Sequence, residues 1–161
     1  MNVAAPKKFT RLTGGALASF DFSQLRVLVV EPEEESRSSI VDAIADLGAR
    51  TPLQAANADE ASAVVTGQAI DLVICDTALQ GPEGGTDGLE FLMRVRSDST
   101  SLDPMIPMIM LGNDAGNFDV MEAKRLGVDA FLIKPVPMKR LEGRMNAILM
   151  RRFPDRVSRS G

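Results

Sequence analysis

The sequence predicts a parallel α/β sandwich of three layers, with five strands alternating with five helices. Three short apolar runs carry that expectation: Val27-Leu-Val-Val30, Leu72-Val-Ile-Cys75 and Ala130-Phe-Leu-Ile133. Continuously apolar stretches of this length are the pattern of strands buried on both faces of a parallel sheet. The segments between them place apolar residues at helical spacing, and strands joined through helices form right-handed crossovers. Each run also ends in charge, with Glu31 after the first, Asp76 after the second and Lys134 after the third. In open α/β sheets ligands bind beyond the carboxyl ends of the strands. Carboxylates and a lysine converging there suit a small, doubly charged anion with a divalent cation.

The elements follow in order. Residues 1–24 mix Pro6, Gly14-Gly15 and the basic Lys7, Lys8 and Arg11 without a period, which predicts a mobile N-terminal arm with Phe20 and Phe22 as apolar docking points. A strand near 26–30 leads to a helix over 34–47, whose Ile40, Val41, Ile44 and Leu47 share a face. Glu33, Glu34 and Glu35 suit its first turn, where the macrodipole favours anions, and Gly48 suits its stop. After a short strand near 51–55, Asn57-x-x-Glu60 is a variant capping box opening a helix to about Thr66. Then come a strand over 71–75, a helix over 87–97, a strand over 106–111, a helix over 117–126 ending at Gly127, a strand over 130–133 and a helix from Val136 to Met150. Residues 25–150 form the domain, and 151–161 a basic C-terminal tail.

A chain of 161 residues fits one domain and leaves no room for a separate effector such as a DNA-binding domain. Without a run of eighteen apolar residues or a secretory leader, the expectation is a cytoplasmic protein with no membrane segment. The single cysteine, Cys75, reads as a small core residue, and a lone buried thiol suits a reducing compartment. The absence of histidine removes the usual general base and zinc ligand. No general base or second catalytic acid is evident, which argues against a metal-dependent phosphatase. Gly81-Pro-Glu-Gly-Gly85 lacks the Gly-Lys-Ser/Thr ending of a phosphate loop and reads as a surface loop. Charge is polarised: residues 134–161 hold eight Lys or Arg against two carboxylates, a local charge of +6, leaving −10 on the rest of a chain of net charge −4. Arg140, Arg144 and Arg151 fall on one side of the last helix, a surface for a partner or an anionic ligand as well as a solvated face.

Several of these features in the same order resemble the receiver domains of two-component response regulators, over roughly residues 25–150. Asp76 falls where that family keeps its phosphoacceptor, and Lys134-Pro135 matches the phosphoryl-binding lysine and its proline. Phe131 sits at the switch aromatic, and Gly88-Leu89-Glu90 resembles the start of the third helix. The stretch Ile106 to Leu111, then Ala123 to Phe131, keeps the family's spacing. The resemblance implies a flavodoxin-like, doubly wound (βα)5 fold of strand order 2-1-3-4-5, with the switch point between Glu31 and Asp76. It also implies Mg2+ held weakly by Glu31, Asp76 and the main-chain carbonyl of Ala78. Three departures stand out. Pro32 replaces the second residue of the acidic pair, Gly112 replaces the Ser or Thr after the fourth strand, and the 77–87 loop is about four residues longer than the usual pattern.

Two functions follow as expectations. One is a stand-alone, chemotaxis-type response regulator. It takes a phosphoryl group on Asp76 from a histidine kinase or phosphotransfer protein and signals to a downstream protein target, with Gly112 and Phe131 as its altered switch. The other is a pseudo-receiver that binds a protein or an anionic nucleotide, a cyclic di-nucleotide among them, through its basic C-terminal helix without phosphorylation.

Overall fold

The computed structural model describes residues 10–11, 17–79, 87–113 and 117–160. The strands are β1 (Thr10–Arg11), β2 (Leu17–Phe20), β3 (Val27–Val30), β4 (Leu53–Ala55), β5 (Leu72–Asp76), β6 (Met108–Gly112), β7 (Ala130–Ile133) and β8 (Val157–Ser160). The helices are α1 (Glu34–Asp46), α2 (Ala58–Val64), α3 (Gly88–Arg96), α4 (Asn117–Arg125) and α5 (Met138–Arg152). The main sheet has five parallel strands in the order β4-β3-β5-β6-β7, the expected 2-1-3-4-5 arrangement counted from β3.

Successive side chains of a strand point to opposite faces, and the core divides accordingly. Val73, Cys75, Met108 and Met110 pack with Phe91, Leu92 and Val95 of α3 on one face. Leu72, Ile74, Ile109 and Leu111 pack with Ile40 and Ile44 of α1 and Leu141, Met145 and Leu149 of α5 on the other. Both faces are covered, which is why these runs are apolar throughout. Asn57 Oδ1 accepts from the Glu60 amide at 2.9 Å, and Glu60 Oε2 accepts from the Ala56 amide at 2.7 Å, so the capping box at α2 is reciprocal. Gly48 and Gly127 end α1 and α4 at φ of 91° and 87°, a region only glycine enters freely.

Several boundaries move by one or two residues, and proline accounts for two of them. Strand β6 begins at Met108 rather than 106 because Pro107 has no N–H to donate and Ile106 is held in a turn by Asp103 O at 2.9 Å. Helix α5 begins at Met138 rather than Val136 because Val136 precedes Pro137, which disfavours helical geometry at Val136.

The chain ends differ more. Strand β2 pairs antiparallel with β8, from Leu17↔Ser160 to Phe20↔Val157, and β1 pairs with β2, giving a second sheet of three strands. Phe20 and Leu25 are buried, and the Phe20 amide donates to Asn146 Oδ1 on α5 at 2.6 Å. The Phe20 ring packs edge-on to Phe22, with centroids 5.5 Å apart, and against Phe153 at 6.3 Å. Residues 17–24 are therefore part of the folded body rather than a mobile arm, and residues 151–160 continue α5 and return as a strand rather than forming a tail. Neither shows a local period because their partners lie well over a hundred residues away. The remainder of the expected arm, 1–9 and 12–16, lies outside the described residues. No helix among the described residues is long and apolar enough to cross a membrane.

Candidate functional site

Parallel register brings the charged residues together. Val30 is opposite Cys75, so Glu31 and Asp76 emerge side by side from β3 and β5. Lys134 leaves the end of β7 and reaches back across β6. Its Nζ donates to Glu31 Oε2 at 2.8 Å and forms an ion pair with Asp76 Oδ2. Glu31 is 2% and Asp76 3% exposed, so the three charges meet at the floor of a crevice. The other oxygen, Asp76 Oδ1, accepts from the Ala78 amide at 2.7 Å, which fixes the carboxylate plane. Arg37 donates to the Glu31 main-chain carbonyl at 2.8 Å and holds that strand end in place.

Burial, together with the contact to Asp76, pushes the Glu31 carboxyl up to about 7 against the opposing pull of Lys134. For Lys134 burial acts downward, but bonds to Asp76 and Glu31 outweigh it and raise the ammonium above its ordinary value. Two buried carboxylates share one ammonium, an excess of negative charge that a cation relieves. Pro32 is exposed and offers no ligand atom, and among the described residues no cluster of three or more His, Cys, Asp or Glu forms a metal cage. Magnesium needs less, since it keeps several waters and takes one or two protein carboxylates. Glu31 and Asp76 supply carboxylates of the kind such an ion takes.

The response regulator receiver domain model matches residues 27–146, well over half of the chain. The chain belongs to the receiver domain family. It is 30% identical over 128 residues to the phosphate regulon transcriptional regulatory protein PhoB of Pseudomonas aeruginosa, covering 80% of this chain and 53% of that protein. It is 29% identical over 125 residues to the chemotaxis protein CheY1 of Helicobacter pylori, covering 78% and 97%. The chain thus spans about half of the first relative and nearly all of the second. Among solved structures, chemotaxis protein CheY4 of Vibrio cholerae superposes with a TM-score of 0.65 at 25% identity, covering 76% of this chain and 96% of that one.

The departures of this receiver have structural consequences. Gly112 ends β6 against the Phe131 ring: a Cβ placed there would lie 2.8 Å from Phe131 Cζ and 3.1 Å from Cε1. Behind the acceptor, Gly88 lets α3 press on the end of β5, where a Cβ would clash with the Asp76 carbonyl oxygen. Arg140, Arg144 and Arg151 are all exposed on α5, with Arg140 in its first turn and Arg151 in its last. The Gly81–Gly85 stretch lies outside the described residues. Sequence reasoning missed Arg37 and Thr77. Thr77 was visible only as the residue after Asp76, and its place beside Gly112 comes from register.

Proposed function

We propose that this receiver accepts a phosphoryl group on Asp76, and that the resulting charge is read by another protein. The observation that carries the reading is the buried Glu31–Lys134–Asp76 cluster at the switch point of the sheet. A carboxylate oxygen of Asp76 attacks the phosphorus of a phosphohistidine on a histidine kinase or phosphotransfer protein. The new P–O bond forms as the P–N bond breaks, and its electron pair leaves on the imidazole, which is then protonated. Lys134 exchanges its carboxylate contacts for the incoming oxygens and neutralises part of their charge. When bound, magnesium supplies further charge neutralisation, and Glu31 is the side chain beside Asp76 that would hold it. A groove of about 480 Å³ between α1 and α5, lined by Lys134, Ser36, Ser39 and Met138, gives a donor access beside the lysine. The output is a presented surface, not a released product, in a cytoplasmic signalling chain.

The second reading is a pseudo-receiver that binds a protein or an anionic ligand, such as a cyclic di-nucleotide, constitutively. The packing of Phe131 against Gly112 favours it, because no side chain at 112 has to move before the ring turns in. Intact mass after incubation with acetyl phosphate, with and without magnesium, separates the two. Phosphorylation adds one phosphoryl group to wild type and none to Asp76→Asn. Labelling of the Asn variant moves the acceptor elsewhere, and unlabelled wild type supports the pseudo-receiver.

A further inference from the structure

We propose that Thr77 supplies the phosphoryl-binding hydroxyl that position 112 lacks, an assignment that rests on Asp76 being the acceptor. Asp76 is opposite Leu111 in the ladder of β5 and β6, so Thr77 and Gly112 are the next residues along two adjacent parallel strands. A Cβ on Gly112 would lie 3.6 Å from Thr77 Oγ1, so the hydroxyl borders the volume that a side chain at 112 would fill.

The backbone of Thr77 is held from both sides. Its amide donates to Leu111 O at 2.9 Å, and its carbonyl accepts from the Gly88 amide at 2.8 Å. Gly88 makes that second clamp tight, because a Cβ there would lie 2.7 Å from Thr77 Cα. A β-branched side chain on a fixed backbone has little χ1 freedom, so the direction of the hydroxyl is set before any ligand arrives. Thr77 Oγ1 makes no hydrogen bond to any described residue, while its neighbour Ala78 spends its amide on Asp76 Oδ1. A preorganised hydroxyl one residue from the acceptor, without a partner among the described residues, is a donor for an oxygen of the phosphoryl group. If Thr77 were only a space-filling residue at the strand end, valine, its isostere, would serve as well.

The test compares wild type, Thr77→Val and Thr77→Ser in the full chain, with circular dichroism melts confirming that each is folded. Two readouts are taken: the rate of phosphoryl addition from acetyl phosphate by intact mass, and the affinity for beryllofluoride with magnesium by amide chemical shifts. Loss of a hydrogen bond to a charged group predicts that Thr77→Val lowers both by about 10- to 100-fold, with Thr77→Ser near wild type. Wild type that labels at Asp76, with Thr77→Val matching it in both readouts, overturns the assignment and leaves the acceptor reading standing. Wild type that neither labels nor binds beryllofluoride overturns both.

Discussion

The ring of Phe131 occupies space that any side chain on Gly112 would need, with Cζ 2.8 Å from the position of a Cβ there. Register sets up the contact: Met110 is opposite Phe131 and Gly112 opposite Ile133, so the aromatic stands diagonally across from the glycine on the same face of the sheet. In a receiver with Ser or Thr at this position, hydroxyl and ring move as one bistable element. Here one half of that element is missing. Beryllofluoride with magnesium should therefore leave the Phe131 ring resonances nearly where they were in the free protein. Gly112→Thr should displace the ring in the resting state and make its resonances respond to the mimic. By overfilling a packed strand end, it should also cost about 1–3 kcal/mol of stability in urea unfolding. A large mimic-induced shift of the wild-type ring would show that the switch still works without a side chain at 112, because a ligand moves an equilibrium only through contacts that differ between the two states.

Pro32 removes a ligand atom from a crevice that already holds two buried carboxylates and a lysine. Pro32→Asp should tighten magnesium by roughly tenfold, about 1.4 kcal/mol, because charge count governs the affinity of oxygen-ligand sites. The chain contains no Trp or Tyr, so amide chemical shifts through a magnesium titration are the practical readout. An unchanged titration would place the limit on binding elsewhere, with the Lys134 ammonium between the carboxylates as the next suspect.

The charged core of this site was legible in the sequence because each member closes an apolar strand. Strand ends in a parallel sheet share an edge, so the order of the strands alone brings Glu31, Asp76 and Lys134 together. Gly112 and Phe131 were legible as a pair only through family resemblance, and their actual contact depends on ring orientation, which no spacing encodes. Thr77 stayed hidden for a related reason, since its neighbour lies 35 positions ahead on a different strand. The three-stranded sheet was illegible because antiparallel pairing between the two chain ends leaves no helical or alternating pattern at either end. Phe20, Phe22 and Phe153 were its trace: with Phe9 they make four of seven phenylalanines outside the expected core elements.

Glu31 makes stability depend on pH in a definite direction. Its carboxyl sits at about 7 in the folded chain against an ordinary 4.5, so folding binds its proton more tightly than the unfolded chain does. A group with a raised folded pKa favours the folded state fully below its unfolded value. That advantage is lost as pH rises from about 4.5 through about 7. Glu31→Gln, which keeps the shape and removes the ionisation, should match wild type near pH 4 and exceed it by roughly 2–3 kcal/mol above pH 8. Urea unfolding in metal-free buffer with a chelator measures this difference at each pH. A difference that does not change with pH would mean that Lys134 fully compensates the burial of this carboxylate.

The added sheet is anchored to the domain through Phe20. Phe20 is 2% exposed, its ring meets Phe22 and Phe153, and its amide is satisfied by Asn146 within the span that defines the family. Arg156, on the returning segment, adds an ion pair to Asp71 at 3.1 Å at the opening of β5 and stacks over the Phe153 ring at 4.6 Å. The two ends of the chain thus close over the edge of the sheet opposite the acidic crevice. Removing a buried aromatic ring costs the transfer free energy of its carbons and leaves a cavity, so Phe20→Ala should lose about 3–5 kcal/mol in urea unfolding. Asn146→Ala leaves the Phe20 amide without its acceptor and should lose about 1–3 kcal/mol. The two losses should not add in the double variant, because both act on one docking contact. Neither variant should alter the magnesium titration, since the crevice lies at the other end of the strands. Variants as stable as wild type would mean that residues 17–24 contribute nothing to folding, and a change in the magnesium titration would show that the added sheet reaches the acceptor site.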